Sequence, residues 1–448
     1  MVGKESKMKN KFIRKWLVIL TVAAMMIPAG IPANAETVEE GENIAPTAGI
    51  SAETPNVTAE TQKEEISAEM PDMTAETQNE EKSDVQAEGQ NQAKQGVLEA
   101  VRQNTEKAEE ASDAVDVQAE ERTAGEVQIG EQIYPTLTEA FAAAKDGDVL
   151  RLLENAEVSQ PILLTKNVTL DTNGFTVSAA AGFKGNFMFT NRGTFNIVGS
   201  GKIDGSVGTY PLIMINNTGG AVLNIQSSEI TGQGVVQNVG GIVNITGGTL
   251  TASARNTVLS QFGEVHIGAS AHLMAAGEGK SAVQLIGAKM TLSGDAVLSG
   301  NGGIDVFNSN RNEEGTVSAQ VEITGGRIET KDFPVSGNNQ ESAGAEVAIT
   351  GGSLKNISGG TAIYWPMEGQ LTIGGNAVIE GGTGIEAKMG TITIKDNAVI
   401  TGSGEWKEEK PQNGGANPEG SAFLGSAQMY DGCINDSSLV VNILGGNA

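Results

Sequence analysis

VNITGGTL, which runs from Val243 to Leu250, is the stretch that decides the fold. It returns as VEITGGRI from Val321 to Ile328 and as VAITGGSL from Val347 to Leu354. Each copy opens with a triad whose first and third residues are apolar, and a glycine turn and a second apolar pair follow. Alternation with a period of two is typical of a half-buried β-strand. The stretch therefore predicts two short strands joined by a glycine turn.

Such triads recur along the chain, mostly 20 to 31 residues apart. They begin at Val168, Phe195, Leu223, Val243, Val265, Met290, Val321, Val347, Leu371, Ile392 and Val441. A third short apolar strand precedes many of them, as in Leu212 to Ile215 and Ala282 to Leu285. One period of three strands has no way to bury its inward side chains, whereas stacked periods form a continuous core.

The repeats predict an all-β fold, a right-handed, single-stranded parallel β-helix over residues 127–448. The right hand follows from the crossover preference of parallel strands. A β-sandwich array would need antiparallel hairpins, and few tight Asn-Gly or Asp-Gly turns separate the alternating strands.

A short cap is expected ahead of the coils. Val127 to Tyr134 predicts a strand, and Thr136 to Glu139 has capping-box spacing ahead of a helix over Ala140 to Lys145. Val149 to Leu153 predicts the next strand. The segment from Tyr134 to Ser178 resembles the opening coil of pectin-lyase-like β-helix proteins of Gram-positive bacterial surfaces. The resemblance implies that fold for residues 127–448, but the family includes lyases, glycosidases and adhesins, so it does not imply one activity.

Composition excludes several classes of protein. The chain has 448 residues, 55 acidic against 29 basic side chains, two histidines and one cysteine. A net charge of −26 opposes electrostatic binding of nucleic acid or of an anionic membrane. A single cysteine excludes a disulfide framework and multi-cysteine metal sites. We expect no cofactor and no metal.

Residues 1–35 are typical of a signal peptide. Six basic residues within the first 15 positions precede an apolar run from Trp16 to Ile27, and Ala33-Asn34-Ala35 offers small residues for cleavage. The run is too short to span a bilayer, so we expect no membrane insertion after cleavage, and an uncleaved anchor is the alternative. The sequence predicts export to the cell envelope or the medium of a Gram-positive bacterium.

Residues 36–126 predict a disordered acidic linker. They contain 24 acidic and six basic residues and no Phe, Trp or Tyr, and a 16-residue unit at Ile50 is duplicated at Ile66. Such a composition cannot bury enough apolar surface to offset chain entropy. A transient helix or weak coiled coil is an alternative for Val97 to Glu121.

Catalytic groups are sparse in the predicted coils. The middle residues of the triads form an outward column that is mostly Asn and Thr, with His266 and Glu322 far apart. The best acidic candidate is Asp305, expected near Asp295 and Glu322, because glycoside hydrolysis needs two carboxylates within about 5 to 10 Å. The more economical interpretation is that these are solvated surface carboxylates, so the sequence favours no catalytic residue.

Binding candidates come from the same column and from aromatic residues. Exposed Trp and Tyr side chains stack on sugar rings, and insertions on solenoids often lie on the binding face. Trp406 lies in the longest departure from the period, and a core position is the alternative for Trp365. The candidate binding residues are Tyr364, Trp365, Trp406, Asn196, Asn224 and Asn244.

The sequence thus predicts an exported module, on the cell surface or secreted, that binds a glycan or a host or surface glycoprotein as an adhesin does, without catalysis. The alternative is a polysaccharide lyase or glycoside hydrolase of the pectin-lyase-like fold. The final LVVNILGGNA lies in the middle of a further coil. Because solenoids normally end in a polar cap, we expect a fragment of a longer protein or, alternatively, a protein with a poorly protected end.

Overall fold

The structure is a computed structural model. It describes residues 125–206, 210–307, 309–310, 316–337, 344–405, 420–425, 428–430, 433–434 and 439–447. The predicted signal peptide, the acidic linker up to residue 124 and Trp406 lie outside the described residues.

Three long sheets, here named A, B and C, run along the solenoid and have 14, 11 and 11 strands. Every pairing within sheets B and C is parallel, and so is every pairing in sheet A beyond its first two. Consecutive strands of each coil belong to A, B and C in turn, so each coil contributes one strand to each sheet. The predicted parallel β-helix is confirmed.

The strands of sheet A are Val127–Ile129, Gln132–Tyr134, Val149–Leu152, Asn167–Asp171, Thr194–Val198, Val222–Ile225, Ile242–Ile245, Glu264–Ile267, Lys289–Leu292, Gln320–Ile323, Ala345–Ile349, Gly369–Ile373, Gly390–Ile394 and Leu439–Ile443. The strands of sheet B are Ala156–Val158, Thr176–Ala179, Lys202–Asp204, Glu229–Gly232, Thr249–Ala252, His272–Ala275, Val297–Gly300, Arg327–Thr330, Ser353–Asn356, Val378–Gly381 and Val399–Gly402. The strands of sheet C are Ile162–Leu164, Phe187–Asn191, Ile213–Thr218, Val236–Val239, Val258–Gln261, Ser281–Ile286, Gly302–Phe307, Val335–Gly337, Ile363–Trp365, Ile385–Ala387 and Phe423–Gly425. Two short antiparallel hairpins pair Ser309–Asn310 with Thr316–Val317 and Gln428–Tyr430 with Cys433–Ile434.

All eleven triads of the sequence lie in sheet A and in one register. Val243 pairs with Leu223 on one side and with Val265 on the other. The first and third residues of the triads point inward and are buried from Val168 to Ile394. Val441 and Ile443 of the last triad are 37% and 69% exposed, and their strand lies at the end of the described part of sheet A.

The second glycine of each ITGG turn has a steric basis. Gly248, Gly326 and Gly352 adopt φ near +82°, a conformation that glycine reaches without the penalty of a side chain. A Cβ on Gly248 would lie 2.4 Å from the carbonyl oxygen of Ser228 in the neighbouring coil. The turn therefore needs glycine for its backbone angle and for the close approach of the next coil.

The cap differs in detail from the prediction. The single strand expected over residues 127–134 is an antiparallel hairpin, since Gly130 turns the chain with φ +59°. The helix α1, Leu137–Ala143, begins earlier and ends earlier than expected, and the Thr136 hydroxyl accepts the predicted capping bond from the Glu139 amide at 3.2 Å. Phe141 packs edge-on against Phe189 and Phe195, which fixes the helix on the first coils. No helix in the described part of the chain is long and apolar enough to cross a membrane.

Candidate binding face

The outward asparagines of sheet A bond to one another. The Asn244 amide donates to Asn224 Oδ1 at 2.8 Å, and the Asn224 amide donates to Asn196 Oδ1 at 2.7 Å. The Asn196 amide reaches Thr169 Oγ1 at 3.2 Å. All three asparagines are half-buried. The predicted column is therefore present, but much of its hydrogen-bonding capacity is used within the ladder.

His266 continues the same column and also has partners within sheet A. Its Nδ1 lies 2.9 Å from Thr291 Oγ1, and its Nε2 lies 3.6 Å from a carboxylate oxygen of Glu264. Lys289 lies 3.9 Å from the other oxygen of Glu264. His266 and Glu264 are each 41% exposed, so this network is solvated and carries little interaction energy.

A second, buried asparagine ladder was not predicted from the sequence. Asn191 donates to Asn217 Oδ1 at 2.8 Å, Asn217 donates to Asn238 Oδ1 at 2.9 Å, and Asn238 donates to Ser260 Oγ at 3.0 Å. Their amides also bond backbone carbonyls of the turn from sheet C to sheet A, such as Ala221 and Gly241. All four side chains are fully buried, so this ladder supports the turn rather than a ligand site.

Sheet C has a different outward column. Its register places Gln284, Asp305, Ser336, Tyr364 and Glu386 on five successive coils. Carboxylate, hydroxyl and aromatic groups thus follow one another along the stack at about 4.8 Å per coil.

The expected group of Asp305, Asp295 and Glu322 is not formed. Asp305 points outward from sheet C, Glu322 lies on sheet A, and Asp295 lies in the turn between sheets A and B. The three belong to different faces of a solenoid, so no shared site is available to them. Strand order along the chain alone did not reveal this separation.

Asp305 is held by hydroxyl groups. Ser281 Oγ donates to Asp305 Oδ2 at 2.9 Å, and Ser336 Oγ donates to Asp305 Oδ1. Asp332 lies on the next coil, where its amide donates to the carbonyl of Asn301, just before the strand that carries Asp305. Desolvation raises the pKa of Asp332, and the negative charge of Asp305 adds to that increase.

Two aromatic rings stack beside these carboxylates. Phe333 and Tyr364 have ring centroids 5.1 Å apart and planes 21° apart, and both side chains are half-buried. Lys388 Nζ, from the following coil, lies 5.7 Å from the Tyr364 ring centroid. Tyr364 therefore has a neighbour on either side along the stack, while Phe333 stands next to Asp332. Together these residues form the Tyr364 face, which consists of Asp305, Asp332, Phe333, Ser336 and Tyr364.

An ion pair follows on the next coil. Lys388 Nζ lies 3.1 Å from Glu386 Oε1, and both side chains are 0% exposed although Glu386 lies in the outward column. Within a buried site the two charges compensate each other, and removing either would leave the other without its ion-pair partner. This pair contributes no net charge to the neighbouring Tyr364 face.

Of the two candidate tryptophans, the structure describes Trp365. Trp365 pairs with Ala387 on the inward side of sheet C and is 0% exposed, which corresponds to the alternative core position. Its ring is not available for stacking on a sugar. Trp406 lies outside the described residues. On either side of its segment, the amides of Gly404 and Gly420 both donate to the carbonyl of Gly382, at 2.9 and 2.8 Å.

Among the described residues, no group of three or more His, Cys, Asp or Glu side chains is placed to hold a metal ion. The architecture is consistent with the pectin-lyase-like fold that the sequence predicts. Comparison of the chain with protein-family models, with curated proteins and with solved structures gave no match.

Proposed function

We propose that this protein is an exported β-helix module that binds a glycan or a surface glycoprotein through the Tyr364 face, without catalysis. The observation that carries the proposal is the stacked Phe333–Tyr364 pair beside Asp305 and Ser336 on adjacent coils. A partly exposed aromatic ring next to hydroxyl and carboxylate groups is the chemistry that sugar recognition uses.

A comparison of the polar side chains on the three sheets supports the assignment of the binding site to the Tyr364 face. On sheet A the amides of Asn224 and Asn244 are committed to neighbours in the ladder. On sheet B the acidic residues Glu229 and Glu380 pair with Lys202 and Lys355. On the Tyr364 face neither carboxylate has an ion pair within the described ranges, so groups for a ligand remain there.

Export to the cell surface or medium of a Gram-positive bacterium belongs to the same proposal. It is supported by the basic and apolar pattern of residues 1–35 and by the acidic composition of residues 36–126. In this arrangement the acidic segment would separate the binding module from whatever retains it at the envelope.

A glycan-binding assay tests the proposal. The mature chain, residues 36–448, is applied to an array of plant, bacterial and host glycans with and without calcium. We expect retention on at least one glycan class, lost on Phe333→Ala and kept on Leu163→Ala. Leu163 is the matched control because it is an exposed apolar residue of sheet C at the opposite end of the stack. Equal retention of both variants would contradict the assignment of the face.

The alternative activity, polysaccharide cleavage, has one observation in its favour. Desolvation raises the pKa of Asp332, which lies on the coil next to Asp305, and glycosidases use a carboxylic acid with a raised pKa beside a second carboxylate. Unsaturated products and reducing ends measured on the same polymers test this. Cleavage that is lost in Asp332→Asn would replace the binding proposal with catalysis, whereas retention without products supports binding.

A further inference from the structure

The charge of the Tyr364 face limits the classes of ligand that it can bind. Asp305 and Asp332 both lack an ion pair in the part of the chain that the structure describes. Lys331 precedes Asp332 along the chain and is exposed, but it too has no ion pair there. Because Lys388 is compensated by Glu386, the face is left with two uncompensated carboxylates.

An anionic ligand would be repelled by this arrangement. Desolvation is the main cause of the raised pKa of Asp332, and the like charge of Asp305 adds to the rise through mutual repulsion. A positive charge placed between the two carboxylates would relieve it. Polymers of uronic acids therefore fit the face poorly, whereas a cationic ligand fits it well.

A buried hydroxyl without a partner lies one coil away from Phe333. Thr361 is 1% exposed, and its Oγ1 has no hydrogen-bond partner among the described residues. Val335 pairs with Ile363, so Thr361 and Phe333 occupy equivalent positions on neighbouring coils. Buried polar atoms without a partner are rare in folded proteins.

Resting on the function proposed above, we propose that the ligand is a glycan of amino sugars whose amines are free, and that its ammonium groups pair with Asp305 and Asp332 while a ring packs against Phe333. A sugar ring supplies the apolar face and the hydroxyls that the aromatic and serine side chains fit. The free amine supplies the positive charge that the two carboxylates lack.

Calorimetric titration with three oligosaccharides of equal length, at pH 6 and low salt, tests whether the face prefers sugars with free amines. They are a glucosamine oligomer with free amines, its fully N-acetylated counterpart and an oligogalacturonate. We expect the glucosamine oligomer to bind at least about tenfold more tightly than the other two, a factor that charge pairs with both carboxylates supply together. Its affinity should fall as salt is added, because exposed charges are screened.

Variants locate the effect. Asp332→Asn, at an exposed position, should reduce affinity for the glucosamine oligomer about fivefold and should lower its preference over the N-acetylated oligomer to the same extent. Asp295→Asn, which removes an exposed carboxylate in the turn between sheets A and B, is the matched control and should change neither. Thermal unfolding of each variant verifies that the fold is retained.

The outcomes separate the two proposals. Equal or tighter binding of the N-acetylated oligomer, or of oligogalacturonate, would overturn the amino-sugar inference and leave the binding function standing. Binding of the glucosamine oligomer that Asp332→Asn does not weaken would also overturn it. Failure of all three oligomers to bind, together with no retention on the glycan array, would overturn both.

Discussion

Asn217 Nδ2 lies 2.9 Å from Asn238 Oδ1 inside the turn from sheet C to sheet A, with both side chains fully buried. The same residue type forms a second ladder on the outside of sheet A, where Asn224 is half-buried. The inner ladder satisfies backbone groups that water cannot reach, whereas the outer ladder is in contact with water. The two ladders should therefore differ in their contribution to stability.

Replacing Asn217 with Ala should cost about 3 kcal/mol of stability, because it leaves the Asn191 amide and the carbonyls of Ala221 and Ile242 without this partner. Asn224→Ala is the matched control and should cost less than about 1 kcal/mol, since water replaces the lost bonds. Urea unfolding followed by circular dichroism measures both. Equal losses would show that burial does not distinguish the ladders.

The buried ion pair between Lys388 and Glu386 provides a second prediction about stability. Lys388→Met removes the ion-pair partner of Glu386, a fully buried carboxylate, and should cost about 3 to 5 kcal/mol. The double variant Lys388→Met with Glu386→Leu removes both charges and should recover most of that loss. The unfolding midpoints of the two variants decide the point. A double variant as unstable as the single one would mean that the pair acts through packing rather than charge.

Glycine at the ITGG turn should be indispensable. Gly248→Ala places a Cβ 2.4 Å from the Ser228 carbonyl at a φ of +82°, and we expect a loss of about 3 kcal/mol. Gly279→Ala keeps a comparable φ of +60° but meets no atom within 4 Å, so its loss should be about 1 kcal/mol. Thermal unfolding of both variants separates the two effects, because Gly248→Ala adds a clash to the backbone strain whereas Gly279→Ala adds the strain alone. Similar melting temperatures would contradict a steric role for the neighbouring coil.

Acid stability should depend on Asp204. Burial raises the pKa of Asp204, but hydrogen bonds from Ser206, Lys202 and Thr231 outweigh it and lower the pKa to about 2. A lowered pKa means that the stabilisation is complete above pH of about 4 and is lost as the pH falls toward 2. Asp204→Asn should therefore be less stable than the wild type by about 2 kcal/mol at pH 6.

At pH 2 that difference should nearly vanish, because the wild-type carboxyl group is then becoming protonated. Urea unfolding at a series of pH values from 2 to 7 measures it. Asp295→Asn, at an exposed turn, serves as the control and should show a small difference at every pH. A difference between wild type and Asp204→Asn that is constant across the range would contradict the assigned ionic role.

The periodic part of this fold could be predicted from sequence because each coil repeats the same physical demand. The triad at Val243 requires apolar residues at its first and third positions, so the pattern predicts both the strand and its register with Val265. The helix start at Thr136 could also be predicted, because the first backbone N–H groups of a helix need a side-chain acceptor and Thr136 stands at the position that supplies it. The glycines of the ITGG turns could be predicted as well, because the turn needs a positive φ that glycine adopts most readily.

The Tyr364 face could not be predicted in the same way, because its members come from coils whose outward residues differ in type. Phe333 precedes its strand and reads as a turn residue, and Asp332 beside it reads as a solvated carboxylate. Only the register of sheet C brings them to Asp305 and Tyr364. The buried ladder does leave a pattern in the sequence, because Asn-x-Gly recurs at Asn191, Asn217 and Asn238. The same pattern is typical of ordinary turns, so it does not by itself predict a ladder.

Hydroxyl-radical footprinting with and without the glucosamine oligomer tests the central claim most directly, because it reports side-chain exposure ring by ring. The account predicts that the ligand reduces oxidation of Phe333 and Tyr364, which are half-buried on the proposed face, and leaves Tyr134 near the N-terminal cap unchanged. Bound ligand with undiminished oxidation of Phe333 and Tyr364, or with protection confined to another face of the solenoid, would contradict it.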